Sequence, residues 1–224
     1  MIEIDRLIRS SRKSIAIIVQ PDGALLVRAP HRIPLSQIES LIAQKEAWIR
    51  RKKAEAASRH AQSRSPRFED GALFPFLGCD FPLKIVSNPP APFRFSNGFF
   101  LDSSYLHAAA SLFTDWYRLQ ARDIITQRVH LLSSRHSFQA GQIRITSPRT
   151  RWGSCGAKGS LNFNWRLVMA PQLVIDYVVI HELVHLRQRN HSSAFWSEVG
   201  KLMPDYRQHQ KWLKDHGPVL SAII

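Results

Sequence analysis

Apolar and polar positions run in short β-type stretches at the start of the chain: 14–19 and 24–28 flank Gln20, Pro21, Asp22 and Gly23, which predicts a β-hairpin. Near Ser36 the period changes to 3.6. Ile38, Leu41, Ile42, Trp48 and Ile49 share one stripe, with Lys45 adding its aliphatic stem, until a charge run takes over. Residues 73–86 around Gly78 and 93–101 around Asn97 and Gly98 read as two further hairpins, Asn-Gly being the stronger turn signal. A long helix is predicted from about 104 to 132, with Leu106, Phe113, Trp116, Tyr117, Ile124 and Val129 on its apolar side. Strands follow at 143–146 and 161–169. Pro171 then opens a helix whose stripe carries Val174, Tyr177 and Val178, and Phe195, Trp196, Val199 and Leu202 mark another, capped by Ser192 or Ser193. No internal repeat is present.

This order predicts an α+β fold with an N-terminal β-rich subdomain over 1–102, a basic linker near 50–67, and a second domain over 103–224. The 224 residues, 44% hydrophobic, suffice for a packed core. No run approaches 18 consecutive apolar residues, and MIEIDRLIRSSRK lacks the features of a signal peptide, so the expectation is a cytoplasmic protein without a membrane partner. Cys79 and Cys155 are too few for a disulfide framework. Cys155 reads as a reduced, buried thiol, with a displaceable fourth metal ligand as the alternative.

The chemistry concentrates in HELVHL at 181–186, followed by His191. Residues four apart on a helix share a face, so His181 and His185 can present imidazole nitrogens to one metal ion. Glu182 projects about 100° around the helix, off the metal but within reach of a water beside it. Zn²⁺ with three protein ligands keeps a position for water and lowers its pKa to about 7, and a carboxylate so placed can act as general base. Two unrelated buried histidines are the bland reading, and the spacing speaks against it. His191 cannot lie on the same face, so the helix must end before it. Arg187 and Arg189 suit the negative end of the helix dipole, and Asn190 tolerates a left-handed turn. The competing third ligands are Glu198 and, after it, Asp205.

The stretch 149–212 resembles the bacterial YgjP-like family of zinc metallopeptidases, related to the WLM and Spartan-type proteases. The likeness rests on RWGSC (151–155), NWRL (164–167), HELVHL and NHSSAFW (190–196), and is looser in the N-terminal half. It implies a zincin-like C-terminal metallopeptidase domain, His181, His185 and His191 as zinc ligands, Glu182 as catalytic base, and a protein or peptide substrate. Gln188 stands where the long metzincin motif has Gly, so no Met-turn carries over and Met203 is expected in the core. In zincin folds an extended peptide pairs with an edge strand above the zinc. Residues 159–164, with Leu161, Asn162, Phe163 and Asn164, are the candidate edge, an ordinary half-buried strand being the competing reading. Trp152 and Arg166 stay open between site and core.

Charge adds a second hypothesis. The formal net charge is +14, and the run 50–67 holds seven arginines and lysines against Glu55, six of those fourteen charges. Arg50, Arg51, Lys52 and Lys53 could track nucleic-acid phosphate, making the protein a DNA-linked protease or a nucleic-acid-associated binding module; a solvated helix end is the bland alternative. No aromatic residue interleaves the run, so a single-strand stacking platform is not indicated.

Overall fold

The computed structural model describes residues 2–20, 23–62, 68–148 and 150–224, with the backbone alone at 55–62. Pro21 and Asp22 of the expected first turn, the side chains of 55–67 in the basic run, and Arg149 lie outside the described residues. The architecture is mixed α+β, with three small sheets and six α-helices among the described residues. It parts into two compact units, Met1–Arg64 and Ser65–Ile224.

The first unit holds β1 (Arg6–Ser10), β2 (Ala16–Val19), β3 (Leu25–Pro30), α1 (Leu35–Gln44) and α2 (Glu46–Gln62). The expected hairpin is β2 against β3. A third strand, β1, pairs parallel to β3 in the order β1-β3-β2. Its sequence, RLIRS, hides it: Arg9 interrupts the apolar pattern, yet its guanidinium donates to the carbonyls of Pro30, His31 and Ile33 and pins the strand. The stripe expected as one helix breaks at Lys45. Leu25, Val27, Ala29, Ile38, Ile42 and Ile49 form this unit's core.

The second unit begins with β4 (Leu73–Phe76), β5 (Cys79–Val86), β6 (Phe93–Phe95) and β7 (Phe99–Asp102), in the sheet order β4-β5-β7-β6. Both predicted hairpins form. Leu77 and Gly78 take φ of +52° and +82°, the conformation of a tight two-residue turn, and Asn97 takes +51°. A 3-10 turn (Ser103–Ala108), capped by the Asp102 carboxylate accepting from Ser104 N–H at 3.0 Å, replaces the start of the expected long helix. α3 then runs from Ala109 to Arg135.

The boundary expected at 102/103 is corrected to 64/65. Phenylalanines of the β4–β7 sheet pack on α3, Phe74 lying 4.2 Å and Phe99 4.9 Å from the Phe113 ring centre and Phe76 4.9 Å from Trp116. Splitting there would cut one core in two.

β8 (Ile143–Thr146), β9 (Gly153–Cys155) and β10 (Leu161–Asn164) form the third sheet in the order β8-β10-β9. The strand expected over 161–169 stops at Asn164, whose side chain accepts from Arg166 N–H at 3.1 Å and turns the backbone into a 3-10 segment, Trp165–Met169. α4 (Gln172–Val184), α5 (Ser193–Leu202) and α6 (Tyr206–Ala222) complete the unit. α4 is buried nearly all round and is tied to α3 by Arg128, which grips Asp176 at 2.6 and 2.8 Å.

Candidate metal centre

α4 ends at Val184 with His185 as its cap, so His181 and His185 sit in its last turn, one above the other. The chain then tightens: Leu186 N–H donates to Leu183 O and Arg187 N–H to Val184 O, both at 3.0 Å. Asn190 is not among the residues with positive φ, so the left-handed turn expected there is not what closes the helix. Two arginines fix the junction instead. Arg187 donates to the carbonyls of His136 (3.1 Å) and Ser137 (2.9 Å) and to Glu198 (2.9 Å), lying 4.0 Å over the Phe138 ring. Arg189 donates to the carbonyls of Gly156 (3.1 Å) and Ala157 (2.9 Å). Ser192 caps α5 by accepting from Phe195 N–H, as the sequence suggested.

This junction returns His191 to the helix. Its Nε2 lies 3.0 Å from Nε2 of His181 and 3.1 Å from Nε2 of His185. Hydrogen bonding cannot satisfy both contacts, because His191 Nε2 carries either one proton or one lone pair and so makes one full hydrogen bond, not two. A tetrahedral metal with bonds of about 2.0–2.1 Å asks for nitrogens roughly 3.3 Å apart, within a few tenths of an ångström of this spacing. The protonation states suit a ligand set. Burial and the two neighbouring imidazoles push the His181 pKa down to about 3, and burial also lowers that of His185, so both rings are neutral at ordinary pH. Nδ1 of His185 lies 2.9 Å from the Gln188 carbonyl, which holds the tautomer with its Nε2 lone pair toward the cluster.

Glu182 stands beside this triad, 5% exposed, with Oε2 unpartnered. Burial raises its pKa to about 7, the positive charge of Arg151 opposing in part. Its carboxylate lies against the backbone of β9: a Cβ built on Gly153 would fall 2.6 Å from Oε1 and 2.7 Å from Cγ. Only glycine fits there.

The rival ligands are occupied elsewhere. Glu198 bridges Arg187, and Asp205 lies 3.1 Å from His209. Cys155 is a half-buried free thiol, its pKa raised chiefly by burial, and is not part of the group whose ligand atoms lie within 4.8 Å of one another, His181, His185 and His191. Met203 is in the core, as expected.

The expectation for 161–164 is corrected. β10 is the middle strand, paired with β8 on one side and β9 on the other, and has no edge to offer. Leu161 and Phe163 are fully buried. Asn164 is 3% exposed and donates to Pro148 O at 2.9 Å, while Asn162 donates to the Ser154 hydroxyl at 3.2 Å. The outer strand nearest Glu182 is β9. Arg166 lies 4.2 Å over the Trp165 ring and donates to the Ser147 hydroxyl, and the half-buried Trp152 packs against Gly217; neither joins the triad.

Sequence reasoning missed two residues at the centre. Gly153 was visible only as part of RWGSC. Phe195 was visible as one apolar position of α5, yet its ring lies 4.6–4.9 Å from all three imidazoles.

In the first unit Arg50 bridges Glu46 at 2.7 Å and Lys53 bridges Asp5 at 3.4 Å. Among the described residues no helix is long and apolar enough to cross a membrane.

No curated protein matches the chain. Among solved structures, the metallopeptidase zymogen abylysin of Pyrococcus abyssi is 22% identical, with a TM-score of 0.35 over 42% of this chain and 93% of that one. The zymogen jannalysin of Methanocaldococcus jannaschii is 19% identical, with a TM-score of 0.34 over 42% and 94%. The family model described as YgjP-like, metallopeptidase domain, matches residues 13–216, nearly the whole length, and the chain belongs to that family of metallopeptidases.

Proposed function

We propose that the protein is a zincin-type zinc endopeptidase in which His181, His185 and His191 hold Zn²⁺ and Glu182 is the general base. The observation that carries this reading is the convergence of three ring nitrogens, with Nε2 of His191 3.0 and 3.1 Å from those of His181 and His185, next to a buried carboxylate. Bound zinc would supply a Lewis acid that polarises the scissile carbonyl and lowers the pKa of a neighbouring water. Glu182 handles the proton. Its Oε2 makes no hydrogen bond among the described residues, so it can take the proton from the attacking water and pass it to the departing amine.

An extended peptide would pair with β9, whose one side is taken by β10 and whose other side carries no strand among the described residues. Backbone pairing holds a peptide without demanding one sequence, and it would bring the chain past Glu182 at Gly153.

The test is Glu182→Gln. The variant folds and carries about one zinc per chain, yet hydrolyses a peptide pool at least roughly 10²–10⁴-fold more slowly. His181→Ala, His185→Ala and His191→Ala each lose most of the metal. Wild-type cleavage by Glu182→Gln sinks the mechanism, and full zinc occupancy in His191→Ala sinks the ligand set.

A further inference from the structure

We propose that Phe195 is the floor of the metal site, a positioning residue that orients all three imidazoles; the proposal rests on the ligand assignment above. The rings of His181, His185, His191 and Phe195 stand at the corners of a nearly regular tetrahedron. The phenyl centre lies 4.9, 4.6 and 4.8 Å from the three imidazole centres, and those lie 4.9, 5.0 and 4.7 Å from each other. Phe195 is fully buried whereas His191 is exposed, so the phenyl closes the inner side of the triad and leaves the outer side to water and peptide.

A floor is needed because the hydrogen bonds that usually orient metal-binding histidines are largely missing. In most such sites the second ring nitrogen donates to a carboxylate or carbonyl. Here only His185 has that anchor, at Gln188 O. Nδ1 of His181 is buried without a partner, and no described residue bonds Nδ1 of His191. Packing has to set their ring angles instead. The phenyl stands at 71° to His181 and 75° to His191, the edge-to-face geometry that aromatic quadrupoles favour, and Trp196 stacks on His191 at 25° from the side. Phe195 is itself placed by the α5 cap, since its backbone N–H donates to Ser192. A phenyl ring cannot ligate, so it braces the set without filling a coordination position.

The test measures zinc affinity by competition with a chromophoric chelator for the wild type, Phe195→Ala, Phe195→Leu and Val199→Ala, alongside thermal melts of the metal-free proteins. Phe195→Ala weakens zinc binding about 10–100-fold, the usual scale for losing a ligand's support. Phe195→Leu, which keeps bulk but not the ring, falls between that variant and the wild type, and carries the test should Phe195→Ala fail to fold. Val199→Ala, fully buried on the same helix, lowers the melting temperature and leaves zinc affinity unchanged. Folded Phe195 variants that bind zinc within twofold of wild type overturn the inference, as does Val199→Ala weakening zinc as much as Phe195→Ala. A wild type that binds no zinc overturns the ligand assignment and this inference together, whereas the other two results strike this inference alone.

Discussion

Gly153→Ala tests whether the position of the Glu182 carboxylate, and not just its presence, sets the rate. The added Cβ would lie 2.6 Å from Oε1, 2.7 Å from Cγ and 2.9 Å from Cδ, and ordinary contact begins at 3.4 Å, so the carboxylate must retreat by about 0.8 Å. It cannot escape into solvent, being 5% exposed. A misplacement near 1 Å in a reacting group costs about 10²-fold in rate, or roughly 2.7 kcal/mol of barrier. Gly153 does not have positive φ, so the strand backbone itself tolerates alanine. The assay is kcat and KM on a quenched peptide pool, with zinc content and melting temperature measured on the same preparations. The expected result is kcat lower by about 10²-fold with zinc retained and a stability loss of about 1–3 kcal/mol from overpacking. Wild-type turnover in a zinc-loaded Gly153→Ala would refute the reasoning, and loss of zinc would show that the strike fell on the helix and not on the carboxylate.

Three other outcomes are expected. Arg128→Ala leaves the buried Asp176 carboxylate without its bidentate partner and costs about 3–5 kcal/mol in urea unfolding; a loss below about 1 kcal/mol would remove the pair from the account of how α4 is held. Exposed Cys79 is alkylated by iodoacetamide at least about ten times faster than Cys155, whose burial keeps it a thiol, and peptide mapping that finds equal rates contradicts this. Where Arg50, Arg51, Lys52 and Lys53 form a solvated helix face, neutralising all four leaves the salt dependence of any nucleic-acid binding unchanged; a log-log slope shallower by about 3–4 units would establish them as phosphate contacts.

The convergence of the three histidines was legible because it is local. His181, His185 and the return of His191 span eleven residues, and helix period plus the end of an apolar run suffices to bring them together. Glu182 was legible for the same reason. What failed was non-local. β1 pairs with β3 across the intervening β2, and its arginines mask the apolar pattern. The edge assigned to 161–164 went to β9 because strand order depends on which partners flank a strand, and period 2 reports faces, not neighbours. The boundary at 102/103 failed because phenylalanines of the β4–β7 sheet find their partners on α3, which sequence periodicity cannot announce. Phe195 was read as a core position, and it is one; that the core there is made of imidazoles becomes visible only in three dimensions.

The turn at Leu77 and Gly78 bears on how the helix carrying the motif finds its place. Its two N–H groups donate to Val168 O at 2.8 Å and Met169 O at 3.1 Å, and a Cβ on Gly78 would fall 2.7 Å from Pro171 Cγ, just ahead of α4. The hairpin is closed by local pairing, and in the folded unit its tip is the template on which the launch point of α4 is registered. Fragments that start at residue 103 would lack that template and expose Phe113, Trp116 and Tyr117, whereas a fragment starting at residue 65 keeps both. Residues 65–102 are therefore part of the core that seats α4, and a recombinant fragment of the second unit should include them.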